Sequence, residues 1–138
     1  MPIITLMGPA EKNELTYLLV LLWLLHYFNR TFIFPFKLKT KGKKMPLLIV
    51  FSAILFNSVN GFLNGYFLGY LNTELSSVIS LNVIIGLVVF FTGMYINKNA
   101  DKHLISLRTS NENYQIPYGG MFKYISCPNH FGEVIEWI

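Results

Sequence analysis

Polar side chains set inside apolar runs mark where this chain could do chemistry, because each one costs free energy in hydrocarbon unless it is paired or lines a cavity. In the block HYFNRTFIFPF, residues 26–36, Tyr27, Arg30 and Thr31 stand three and four apart, so a helix puts them on one face. A phenol there can donate a hydrogen bond to a ketone oxygen in a dry pocket, or serve as an interfacial belt tyrosine. Farther along, Asn82, Gly86, Gly93 and Asn97 form one stripe, and at about 100° per residue Asp101 and Arg108 stay close to it if the helix continues. That face suits a polar ligand; equally, Asp101 and Arg108 can close a salt bridge on a solvated helix end. Asn57, Asn60 and Asn64 share a third face, with Gly61, Gly65 and Gly69 four apart beside them. Close helix packing and the lining of a cavity are both open for it. The three histidines, His26, His103 and His130, fit no metal-ligand spacing. The single cysteine, Cys127, excludes an internal disulfide. The chain has no Gly-x-Gly-x-x-Gly, so nothing points to a Rossmann nucleotide site.

The elements that must hold these groups are membrane helices. Hydrophobic residues make up 53% of the 138-residue chain and charged residues 13%, about half the charge of an average soluble domain; mean hydropathy is +0.46. Apolar runs predict an all-α membrane protein with spans over residues 15–34, 47–71 and 78–97 and the start of a fourth over 127–138, in one membrane domain covering 1–138. Pro35 ends the first run. The formal charge of +4 is concentrated: Lys37, Lys39, Lys41, Lys43 and Lys44 share one short loop, and Lys98, Lys102 and Arg108 follow the third run. Lysines placed between apolar runs argue against nucleic acid. They place both basic segments on the cytosolic side and the Glu74 turn opposite. Pro2 to Met7 is too short and lacks the basic start of a signal peptide, and the chain reads as the interior of something longer. Asn29-Arg30-Thr31 fits the glycosylation pattern, but its place at the inner end of an apolar helix argues against use.

The ending GGMFKYISCPNHFGEVIEWI, residues 119–138, and the HYFNRTFIFPF block resemble the two hallmark blocks of the steroid 5α-reductase family. Gly119, Gly120, Phe122, Tyr124, Ser126, Pro128, Asn129, Gly132, Glu133, Glu136 and Trp137 keep the family's order and spacing. Between the blocks, Gly93, Met94, Ile96, Asn97, Asp101, Leu107 and Arg108 match a third stretch, in which Ala100 replaces the usual serine, and NYQIPYGG carries Gln115 where the family often has a basic residue. His130 stands where an aromatic residue is more frequent.

The resemblance implies part of a seven-helix bundle, and NADPH bound from the cytosolic side at Asn97, Asp101, Arg108, Tyr114, Asn129 and Glu133. It implies that Tyr27 holds the ketone oxygen of an enone while hydride passes to the β-carbon. In the family that tyrosine pairs with a glutamate on an upstream helix, and Glu11 and Glu14 lie too near the first span to replace it. The expected parent enzyme reduces the C4–C5 double bond of a 3-oxo-4-ene steroid; a polyprenol or enoyl lipid is also open. It is expected as a multi-pass protein of the endoplasmic reticulum membrane if eukaryotic, or of the inner membrane if bacterial. The competing class is a non-catalytic membrane remnant that binds partner helices, and self-association of the isolated chain is expected.

Overall fold

The structure, a computed structural model, describes residues 1–37, 46–71, 79–110 and 116–137, excepting the side chains of 108–110. Among the described residues every regular element is helical. Three helical stretches are long and apolar enough to cross a membrane: Glu14–Lys37, Leu47–Leu71 and Leu81–Leu107. Their large apolar side chains point outward, as with Phe51, Phe56 and Val88. That is the arrangement lipid favours, and it would be costly in water. The Lys-rich loop and the Glu74 turn fall outside the described residues, apart from Lys37.

The chain groups into two compact units, Met1–Phe28 with Thr40–Val78, and Asn29–Lys39 with Ile79–Ile138. The first unit opens with a short helix, α1 (Pro2–Met7). Its second helix, α2 (Glu14–Phe28), is capped by Asn13, whose side-chain oxygen accepts from the main-chain N–H and the hydroxyl of Thr16, both at 3.0 Å.

The second unit begins with a π-helical turn, Asn29–Ile33, followed by α3 (Phe34–Lys37). Back in the first unit, α4 (Leu47–Tyr66) starts directly after Pro46, whose fixed φ suits that position, and it runs on into a second π-helical turn, Phe67–Leu71. The glycine stripe of α4 is the floor on which α1 lies. A Cβ on Gly65 would sit 2.8 Å from the carbonyl oxygen of Met1, and one on Gly69 would sit 2.8 Å from that of Ile4. Thr5 is fully buried there and donates to Met1 O at 3.2 Å. Of the two openings left for this face, the glycines take close packing. The asparagines beside them turn back on their own helix, Asn57 donating to Ala53 O at 2.8 Å and Asn64 to Asn60 O at 2.9 Å.

In the second unit α5 (Leu81–Ser110) is one unbroken helix of 30 residues. It carries the third apolar run well past Asn97, through Asp101. Ser80 starts it, its hydroxyl accepting from Val83 N–H at 3.3 Å. After a 3-10 turn at Gly120–Lys123 comes α6 (Pro128–Glu136), nine residues with proline in its first turn. Over the stretch expected to open a fourth span, α6 is laid on α5. Its buried positions, Pro128, Gly132 and Glu136, recur every four residues. The buried positions of α5 there, Phe90, Gly93, Met94, Asn97, Ala100 and Asp101, also keep the helical period, and Gly132 and Glu136 meet them at Gly93 and Asn97.

Candidate functional site

The contact between α5 and α6 is set by two glycines. A Cβ on Gly93 would lie 2.6 Å from the carbonyl oxygen of Gly132, and one on Gly132 would lie 2.7 Å from that of Gly93. With the two backbones this close, the next turn of α5 brings Asn97 against the first turn of α6. Asn97 is 2% exposed, and its amide donates to the main-chain carbonyl of Asn129 at 3.0 Å and to Oε1 of Glu133 at 3.3 Å. A side-chain amide thus satisfies one helix from the other, in surroundings where an unmade hydrogen bond would cost about 1–3 kcal/mol.

One turn beyond Asn97, Asp101 is 5% exposed. Its Oδ2 accepts from a guanidinium nitrogen of Arg30 at 2.9 Å, and the other terminal nitrogen of Arg30 pairs with Glu133 Oε1. Glu133 Oε2 lies 3.1 Å from Nδ1 of His130 on the same helix. Arg30 also stands over the ring of Phe34, 4.8 Å from its centroid. One guanidinium therefore bridges a carboxylate of α5 and a carboxylate of α6, and two acids face one arginine. Asp101 Oδ1, although buried, has no hydrogen-bond partner among the described residues, so the cluster they form holds an acceptor open to a further donor.

Four of the residues expected at a cofactor site therefore meet: Asn97, Asp101 and Glu133 through their side chains, and Asn129 through its main-chain carbonyl. The side chain of Arg108 and the whole of Tyr114 lie outside the described residues. Tyr27 belongs to the first unit. There it is half-buried, its ring stacked on Trp23 at a centroid distance of 4.1 Å and meeting His26 edge-on at 5.1 Å. Ahead of α6, Gly119 and Gly120 take φ of 93° and 54°, a region glycine enters without the steric cost of a side chain, and so the chain passes from IPYGG into the 3-10 turn at Gly120–Lys123.

The sequence reading gave Arg30 no role beyond sharing a face with Tyr27, yet it is the link of the cluster. The signal was present: an arginine within an apolar run long enough to span demands a partner, and Asp101 and Glu133 are acids in the blocks singled out.

Comparison with known proteins identifies the family. The family model described as 3-oxo-5-alpha-steroid 4-dehydrogenase matches residues 43–138. The chain is 37% identical over 135 residues to a steroid 5-alpha-reductase of Solanum lycopersicum, covering 96% of this chain and 52% of the relative. It is 39% identical over 139 residues to the steroid 5-alpha-reductase of Arabidopsis thaliana, covering 95% and 53%. To 3-oxo-5-alpha-steroid 4-dehydrogenase 1 of Homo sapiens it is 38% identical over 132 residues, covering 94% and 51%. The chain spans about half the length of the curated relatives it matches. With most of its length matched by the family model, and with membrane-spanning helices bearing the residues that carry the resemblance, the chain belongs to the 3-oxo-5-alpha-steroid 4-dehydrogenase family.

Proposed function

We propose that the full-length protein carrying this segment reduces the C4–C5 double bond of a 3-oxo-4-ene steroid, or of a related enone lipid, with NADPH, in a membrane. The observation that carries this reading is the cluster of buried Asn97 and Asp101 with half-buried Glu133 and Arg30, in which Asp101 Oδ1 is claimed by none of the described residues, in a chain of this family.

The donor set fits part of a nicotinamide dinucleotide. Two carboxylates around one arginine accept hydrogen bonds and disfavour phosphate, so Asp101 suits a ribose hydroxyl or a carboxamide N–H. The phosphates fall to Arg108, whose planar fork of donors matches phosphate oxygens, and Tyr114 and the Asn129 side chain complete the set that the family resemblance implies. When bound, NADPH would supply a hydride to the β-carbon of the enone, and the resulting enolate would take a proton from water at its α-carbon. Tyr27 donates a hydrogen bond to the ketone oxygen, on which negative charge develops as the double bond is reduced, and stabilises it more in the transition state than in the ground state. The stacked Trp23 fixes the plane of that phenol and excludes water from one of its faces.

The test is steady-state kinetics on the full-length protein in lipid nanodiscs. Oxidation of NADPH is expected only when a 3-oxo-4-ene steroid or another enone lipid is present, and Asp101→Ala should raise the KM for NADPH about tenfold, as expected when one hydrogen bond to a charged group is lost. A correctly folded Asp101→Ala protein with unchanged KM for NADPH would reject the cofactor assignment.

A further inference from the structure

We propose that Arg30 is a positioning residue of this site: it ties carboxylates from two different helices into one orientation, so that Asp101 keeps Oδ1 turned toward the ligand. The inference rests on reading the cluster as the cofactor site. Arg30 acts through Asp101 and Glu133 and is assigned no contact with ligand.

The two acids are used differently. Glu133 is fully engaged: Oε1 takes Arg30 and the amide of Asn97, and Oε2 takes His130. Among the described residues, Asp101 is held through Oδ2 alone, by Arg30 at 2.9 Å, while its buried Oδ1 meets none of them. Glu133 is thus the anchor and Asp101 the presented acceptor, with Arg30 the link between them. Only a planar fork with two separate terminal nitrogens can meet both acids at once; a lysine ammonium is a single point on a flexible stem. The fork is itself held, since Phe34 lies under the guanidinium at 4.8 Å. Arg30 also sits in the π-helical turn at Asn29–Ile33, an irregularity of a kind often found at functional sites. Remove the guanidinium and two carboxylates, that of Asp101 buried and that of Glu133 half-buried, face each other across the helix contact. Like charges in that setting repel and turn one acid away, and the acceptor is lost.

Kinetics of the full-length protein in nanodiscs decide this, with NADPH and the enone substrate varied separately for Asp101→Ala, Arg30→Met, Arg30→Lys and the double variant Arg30→Met/Asp101→Ala. If Arg30 works through Asp101, Arg30→Met raises the KM for NADPH about tenfold while the KM for the enone stays near wild type, and Arg30→Lys falls between Arg30→Met and wild type. The double variant should then be no worse than the worse single variant, because both substitutions abolish the same acceptor. A raised KM in Asp101→Ala with a normal one in Arg30→Met or Arg30→Lys would overturn the inference and leave the cofactor reading standing; so would single effects that multiply in the double variant. An unchanged KM for NADPH in Asp101→Ala would instead remove the cofactor reading, and the inference with it. Should Arg30→Met fail to accumulate, Arg30→Lys, which keeps the charge, carries the same test.

Discussion

Gly93 and Gly132 press their backbones together: a Cβ on either would come within 2.7 Å of the other's carbonyl oxygen. This crossing fixes how far Asn97 and Asp101 stand from Glu133, because all three project from the turns that flank it. The obstructing atoms are main chain, which cannot swing aside as a flexible side chain would.

Gly93→Ala and Gly132→Ala should each destabilise the α5–α6 contact by about 1–3 kcal/mol, the usual cost of overpacking. Gly86 is the control, since a Cβ there meets nothing within 4 Å, and alanine is the better helix former. Thermal unfolding of the full-length protein in detergent should show a lowered midpoint for the first two variants and none for Gly86→Ala. Equal midpoints for all three would mean the helices can part at no cost.

Tyr27→Phe should lower kcat for enone reduction about 100-fold, within the range ascribed to a positioned acid, while the KM for NADPH stays near wild type. Arg108→Ala should do the reverse and weaken NADPH binding by about 1.5–3 kcal/mol, as expected for charged hydrogen bonds to phosphate. Titration of NADPH fluorescence together with turnover rates separates the two effects. Unchanged turnover in Tyr27→Phe would take the phenol out of the chemistry.

Charge distribution sets the orientation of the spans. In a Cys127→Ser background, cysteines placed at Lys39 and Ser106 should react with an impermeant maleimide from the same side of sealed vesicles, and one at Thr73 from the other, because basic segments are expected to stay on the cytosolic side. Labelling of positions 39 and 106 from opposite sides would contradict that topology.

The apolar runs were enough to foretell three membrane-spanning helices, since length and hydropathy alone decide whether a segment can cross lipid. Their starts are sharpened by signals the apolar runs do not carry: in the structure Asn13, Pro46 and Ser80, and Pro128 for α6, each open a helix with the atoms or the fixed dihedral that a helix end requires. Periodicity showed as well that Gly93, Asn97 and Asp101 share a face of one helix. What it could not give is the partner on that face, because a period names a direction on one helix and says nothing of which element fills it. Only the tertiary structure laid α6 there, placed α1 rather than another long helix on Gly65 and Gly69, and joined Asp101 to Arg30 across 71 positions of chain. An ion pair of that kind is decided by where two helices come to rest. Its members are legible in a sequence as costly polar groups in need of company, and their pairing is legible only in three dimensions.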